Sequence, residues 1–286
     1  MQKRILAVHD VSCIGKCSLT VALPILSTAG FETSVLPTAV LSTHTGGFEN
    51  FTYRDMTGEM EPILSHWKSL DIHVDAIYTG YLGSMEQLLL MEKLFSMFRE
   101  EDTFIMVDPV MADNGEFYSK FTHDFAKGMA HLCRQADVIV PNLTEAALLL
   151  EEDYRGLHYT EEYIHDTLVK LSALGPELVV LSGVSYTPGK LGAAAYHKKT
   201  GQFSQYFADE IHGFFPGTGD VFASALLAAL MNGASLAQAL EITVRFTVES
   251  ISRTKKAGTD KRYGVDFEHS LPQFAGIMSS LPGYEK

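Results

Sequence analysis

Short, nearly uninterrupted apolar runs recur along this chain, each followed by a longer amphipathic stretch. Residues 5–8, 33–40, 76–78, 103–107, 138–140 and 178–181 read as strands. Residues 16–29, 85–98, 144–150, 161–174, 220–232 and 236–253 read as helices, with a last helix near 267–278. Residues 193–196 and 203–207 are expected to form a hairpin or edge pair around Thr200-Gly201. A sheet with one wet face demands strict apolar–polar alternation, whereas unbroken runs mark parallel strands covered on both faces. Strands interleaved with helices therefore predict a doubly wound α/β sheet. A chain of 286 residues can form one large domain or two small ones. No linker, low-complexity segment or internal repeat interrupts it, so a single domain over 1–286 is expected. Ligands of such sheets bind beyond the carboxyl ends of the strands. Polar residues immediately after strands are thus the candidates for chemistry.

Charge narrows the function classes. Lys and Arg number 22 against 35 Asp and Glu, a net charge of −13. Nucleic-acid binders carry a basic stripe. Here the basic cluster is Lys255, Lys256, Lys261 and Arg262, which reads as a solvated loop or as a loop near a bound nucleotide. A chain this acidic must attract any polyanion locally, through amides, a few cations or a metal. Cys13, Cys17 and Cys133 are too few and too odd in number for a disulfide framework, and fit a reducing compartment. Cys13 and Cys17 have no second ligand pair at zinc-site spacing. The apolar stretch after Arg4 is too short for a signal peptide, and no run of about 18 apolar residues occurs. The expectation is a soluble, cytoplasmic protein with no nucleic-acid or membrane partner.

The strongest local pattern is Pro216-Gly217-Thr218-Gly219-Asp220, running directly into an apolar helix. Glycine lets backbone approach a ligand closely and adopt φ > 0. Free amides at a helix N-terminus form an anion site. Asp220 stands beside that site, either as a first-turn acid or as a reactive carboxylate. The third glycine of a dinucleotide fingerprint is missing, with Phe222 in its place. Residues 183–191 end in Gly189-Lys190-Leu191, one residue too long for a P-loop and with Leu191 where Ser or Thr should hold magnesium. Gly15-Lys16-Cys17-Ser18 lacks the upstream glycine of that motif. Two more acids follow strands: Asp108, with Asp113 in the same segment, and Glu145 in Pro-Asn-Leu-Thr-Glu-Ala. Each alone suits a turn or a cap. Together they supply the hard oxygen ligands that Mg²⁺ takes, and with the glycine-rich helix start they point to phosphoryl transfer.

Five segments fall in a telling order: STHTGGF at 42–48, TGYLGS at 79–84, DPVM at 108–111, PNLTEA at 141–146 and GTGD at 217–220. Over essentially the whole chain this resembles the pyridoxal kinase branch of the ribokinase-like superfamily. The resemblance implies a three-layer α/β/α ribokinase-like fold with a mainly parallel central sheet. It implies an ATP-dependent kinase acting on the 5′-hydroxymethyl group of a B6 vitamer, for pyridoxal 5′-phosphate salvage. Asp220 would then be the catalytic base, and Gly217, Thr218 and Gly219 the anion hole. Asp108 and Glu145 would organise Mg²⁺ and a monovalent cation, K⁺. Asn142 and Ser182 would lie along the ATP phosphates, with Asp113 and Tyr118 on the loop covering the nucleotide. His44, Thr45 and Tyr81 would line the pyridine pocket. Family members often carry a serine after the first strand to bond the pyridine ring. This chain has Asp10 there and Ser12 two residues on, which alters the ring contact. The resemblance also suggests a homodimer.

A primary alcohol is a poor nucleophile and an ordinary carboxylate a weak base for it. Asp220 is therefore expected to orient the hydroxyl and accept its proton as bonding to phosphorus develops, while amides and metal carry the larger share. A hydroxymethylpyrimidine kinase of the same superfamily remains open, as does a non-catalytic B6- or nucleotide-binding protein. The latter should have lost Asp220, Asp108 or Glu145, and all three are present. A sugar kinase fits less well, because residues 46–67 read as loop plus helix and not as a β-strand lid.

Overall fold

A computed structural model describes residues 2–156 and 158–284. The first half runs β1 (Arg4–Ser12), α1 (Leu19–Thr28), β2 (Glu32–Leu41), β3 (Tyr53–Asp55), α2 (Thr57–Ser69), β4 (Ala76–Thr79), α3 (Met85–Phe98) and β5 (Phe104–Val107). A short hairpin, β6 (Ala112–Asp113) and β7 (Glu116–Phe117), follows, then α4 (His123–Cys133), β8 (Val138–Ile139), α5 (Leu143–Leu149) and α6 (Glu161–Leu174). The chain closes with β9 (Leu178–Val184), β10 (Lys190–His197), β11 (Gln202–Asp209), α7 (Thr218–Met231), α8 (Leu236–Ala257) and α9 (Leu271–Ser279).

Nine strands form one sheet in the order β11-β10-β9-β8-β5-β4-β1-β2-β3. The six from β9 to β2 run parallel, and β3, β10 and β11 add antiparallel edges. Alternation along each strand feeds two separate cores. Leu6, Val8 and Ile77 join a cluster under α2 to α6, while Ile5, Ala76 and Tyr78 join one under α1, α7, α8 and α9. Both faces of β1 are buried, which is why Ile5 to Val8 reads as an unbroken apolar run. The result is the expected three-layer α/β/α arrangement.

β1 pairs with β2 on one side and with β4 on the other. Chain direction across the sheet therefore reverses at β1, and the crevice beyond the ends of β1 and β4 is the topological switch point.

Four differences from the sequence reading concern short or amphipathic pieces. The first helix starts at Leu19, so residues 13–18 are free to act as a loop. β3 is a three-residue edge strand, too short to carry a pattern. α4 shows an apolar face but begins in a polar stretch. The β6–β7 hairpin turns at Asn114 and Gly115, both at positive φ. An Asn-Gly pair is a strong local hairpin signal, and the preceding Asp-Pro masked it.

Candidate active site

Every predicted polar residue after a strand lies at the carboxyl edge of the sheet. Asp10 and Ser12 end β1, Tyr81 follows β4, Asp108 follows β5, Asn142 and Glu145 follow β8, and Ser182 lies in β9. Asn142 and Ser182 meet directly as a parallel bridge. From the other layer, α7 brings its N-terminus to the same edge.

Gly217 caps α7 in the left-handed conformation, with φ 79°. A side chain there would also collide with the carbonyl oxygen of Lys16. Only glycine meets both demands. A methyl built at Gly219, by contrast, would meet no protein atom within 4 Å, so the backbone at the helix start stays approachable. Thr218 turns its hydroxyl back onto the Phe215 carbonyl at 3.0 Å and offers its amide with the others.

Asp220 sits in the first turn of α7. The Ser18 backbone N–H donates to its Oδ2 at 2.8 Å. Removal from water pushes this carboxyl up to about 7; the Ser18 bond opposes the rise and the nearby Asp10 adds to it. The residue as a whole is half-buried. A carboxylate poised there can accept a proton from an alcohol near neutral pH.

Asp108 is buried and lies within the fields of Glu145 and Asp220, so burial first and then those two charges hold its carboxyl well above the ordinary range. Glu145 is also buried. Its Oε1 accepts from the Met111 N–H at 3.1 Å and its Oε2 from the Asn142 N–H at 2.9 Å. Burial raises it to about 8 despite those amides. Among the described residues no lysine or arginine pairs with Asp10, Asp108, Glu145 or Asp220. Nor do three or more His, Cys, Asp or Glu side chains form a ready-made metal cage. Uncompensated acids without a full cage suit Mg²⁺, which is bound through one or two carboxylates plus water and substrate phosphates.

Asn142 and Glu145 form a capping box: Asn142 Oδ1 accepts from the Thr144 and Glu145 amides at 2.8 and 2.9 Å. The Asn142 side-chain N–H also donates to the Ala112 carbonyl at 2.8 Å. Thr144 accepts from the Gly115 N–H at 3.0 Å, which ties the β6–β7 hairpin to α5. Asp113 is in that hairpin with its carboxylate on Asn114, and Tyr118 just beyond it is exposed. The hairpin thus overhangs the Asp108–Glu145 side, where the resemblance sets the nucleotide.

On the β1–β4 side, Asp10 is only 6 % exposed, and the fully buried Ser12 hydroxyl donates to its Oδ2 at 3.1 Å. Burial raises the Asp10 carboxyl, with hydrogen bonds from Ser18 and Ser12 opposing. Tyr81 is half-buried beside Tyr53 of β3, and burial pushes its phenol well up. Thr45 is exposed. His44 is buried, with both ring nitrogens engaged by backbone. Three supporting residues escaped the sequence reading. Ser18 was placed inside a helix. Tyr53 lies on an edge strand without pattern. Gln87 is fully buried in α3: its amide holds the Thr38 carbonyl and Thr57 hydroxyl at 2.9 Å each and accepts from Gly83 N–H at 2.7 Å, steadying the Tyr81 loop. A lone buried glutamine in an apolar helix was the available signal. A cavity of about 420 Å³ between α2 and α3, around Thr57, Glu61 and Leu90, includes none of the predicted residues.

Comparison with known proteins agrees with this architecture. The sequence profile of the phosphomethylpyrimidine kinase family matches residues 35–265. A candidate phosphomethylpyrimidine kinase from Bacteroides thetaiotaomicron, solved in a form with pyridoxal, is 40% identical with a TM-score of 0.92, covering 96% of each chain. The pyridoxal kinase of Lactobacillus plantarum is 29% identical at a TM-score of 0.89, over 97% of this chain and 98% of that one. The hydroxymethylpyrimidine/phosphomethylpyrimidine kinase of Aquifex aeolicus is 28% identical over 66% of this chain and 71% of its own length. With its sheet order, its glycine-capped helix and its strand-end acids accounted for, the chain belongs to the phosphomethylpyrimidine kinase family of ribokinase-like kinases.

Proposed function

We propose that this kinase transfers the terminal phosphoryl group of ATP to the 5′-hydroxymethyl group of a B6 vitamer, in the salvage of pyridoxal 5′-phosphate. The observation that carries the chemistry is the Asp220 carboxyl, raised to about 7 at the left-handed glycine cap of α7. The 40% identical Bacteroides protein with pyridoxal supports the choice of acceptor.

Asp220 orients the hydroxyl and takes its proton as the bond to phosphorus forms. The amides of Gly217 to Gly219 face the charge that develops on the transferred group, which is the larger contribution in phosphoryl transfer. Asp108 and Glu145 would hold Mg²⁺, with K⁺ as the monovalent cation, and when bound the metal would supply charge neutralisation for the phosphoryl group. Asn142 and Ser182 run beside the phosphates, and Asp113 and Tyr118 bound the nucleotide on the hairpin side. Asp10, Ser12 and Tyr81 face the ring. No described helix is long and apolar enough to cross a membrane. A cytoplasmic homodimer is the assembly and location we assign.

A second reading is favoured by the family description itself: hydroxymethylpyrimidine as acceptor. Both rings carry a hydroxymethyl group, so one assay separates them. ATP consumption is followed with pyridoxal, pyridoxamine, pyridoxine and hydroxymethylpyrimidine, each with and without K⁺. The B6 reading expects the highest kcat/KM on a vitamer. Turnover confined to hydroxymethylpyrimidine would overturn it.

A further inference from the structure

His44 occupies a junction of three loops. Its Nε2 lies 2.6 Å from the Arg262 carbonyl oxygen, and the Gly46 backbone N–H points at its Nδ1 at 3.0 Å. A carbonyl can only accept and an amide N–H can only donate. Nε2 therefore carries the hydrogen and Nδ1 is bare, so the ring is neutral and in one tautomer. Neither nitrogen is left for a third partner in the ring plane.

The surroundings of the ring are also filled. Gly15 has φ +89°, and a methyl built on it would run into the His44 ring. Phe48 packs edge-on at 5.0 Å between centroids, and Tyr263 packs on Phe48 at 5.5 Å. Backbone bonds close the junction: Cys13 N–H to the Leu41 carbonyl at 2.9 Å, Ile14 N–H to Ser42 at 3.2 Å and Lys16 N–H to Tyr263 at 3.1 Å.

The loop clasped in this way bears on the reacting centre twice. The Lys16 carbonyl abuts Gly217, and the Ser18 N–H holds Asp220. We infer that His44 is a positioning residue: a neutral, tautomer-locked clasp that joins residues 42–48 and 260–265 to the 13–18 loop, and through that loop fixes the anion-hole glycine and the base. This differs from the role the family resemblance suggests, a wall of the ring pocket. Its kinetic consequences rest on the kinase reading; its geometry does not.

Two measurements test it. Nitrogen-15 NMR of the intact protein at neutral pH should show one buried histidine as the neutral Nε2–H tautomer, lost in His44→Ala. A different tautomer, or a charged ring, overturns the clasp whether or not the chain is a kinase. Kinetics on the best acceptor then test positioning. His44→Ala should lower kcat by about 10- to 100-fold, the scale of a misplacement near 1 Å, with acceptor KM changed less than about threefold. Gly15→Ala, which attacks the same junction from the loop side, should give the same pattern. His44→Gln, whose amide can still donate to the Arg262 carbonyl, should recover about tenfold over Ala. A large rise in acceptor KM with kcat intact would make His44 a direct substrate contact, and a Gln variant no better than Ala would remove the donor from the argument; either result overturns the inference. Wild-type protein inert on every acceptor would sink the kinase reading, and the NMR result would still decide the clasp.

Discussion

At residue scale, the proposed proton transfer turns on one carboxyl and its surroundings. Asp220 is raised to about 7 because the folded chain removes it from water near another acid, Asp10. As a base it must be ionised, so kcat/KM should fall about tenfold per pH unit below that value in a pH–rate series. A flat profile down to pH 5 would assign the proton elsewhere. Asp220→Asn should lower kcat by about 10²- to 10⁴-fold while ATP binding, read by calorimetry, persists. The same shift has a stability sign. The unfolded carboxyl ionises near 3.8 and the folded one near 7, so the folded state holds the extra proton between them. Stability is lost as pH rises through that window and the loss is complete above it. The Asn variant should therefore melt roughly 2–4 °C higher than wild type at pH 8 and no higher at pH 3, a modest gain because Asp220 as a residue is only half-buried. A carboxylate after two glycines at a helix start reads equally as a first-turn acid, so Asp220 becomes a candidate base only with the other strand-end acids and the family resemblance beside it. Its pKa was not legible, because the Ser18 amide and Asp10 reach it only through folding.

At the scale of elements, the site is built from helix starts. α7 opens with a left-handed glycine and α5 with a capping box. Glu145 was read as a metal acid, and the structure adds that both its oxygens receive backbone amides. Glu145→Gln would turn an NH₂ group against one of those donors. It should cost about 1–3 kcal/mol in urea melts as well as raise the Mg²⁺ needed for half-maximal rate. An unchanged metal titration would leave Glu145 as a cap alone. Gly217→Ala should be worse than a usual loop substitution, since positive φ and the Lys16 carbonyl both oppose it. Long elements such as α3, α6 and α8 were visible from period alone. Residues 16–18 read as the start of the first helix, but packing against Gly217 and backbone bonds from Cys13, Ile14 and Lys16 to Leu41, Ser42 and Tyr263 hold the 13–18 segment as a loop.

At the scale of the molecule, charge and topology act together. A net charge of −13 repels a nucleotide at long range, while local amides and a bound cation attract it. Added salt screens the repulsion more than the buried contacts. KM for ATP at saturating Mg²⁺ should thus stay level or fall between about 20 and 150 mM salt; a steep rise would reveal a basic docking surface. Apolar runs on both faces of each strand were enough to specify a parallel sheet between two helical layers, because burial on both sides leaves no other pattern. The acids after those strands were then bound to share one edge. What the chain order did not contain is which loops lean on which. Ser18 on Asp220, His44 on the Arg262 carbonyl and Gln87 on Thr38 join residues 202, 218 and 49 positions apart. Local periodicity reports only neighbours a turn or two away, so contacts of that span, and the pKa values and tautomer they impose, exist only once the sheet has brought its strand ends together.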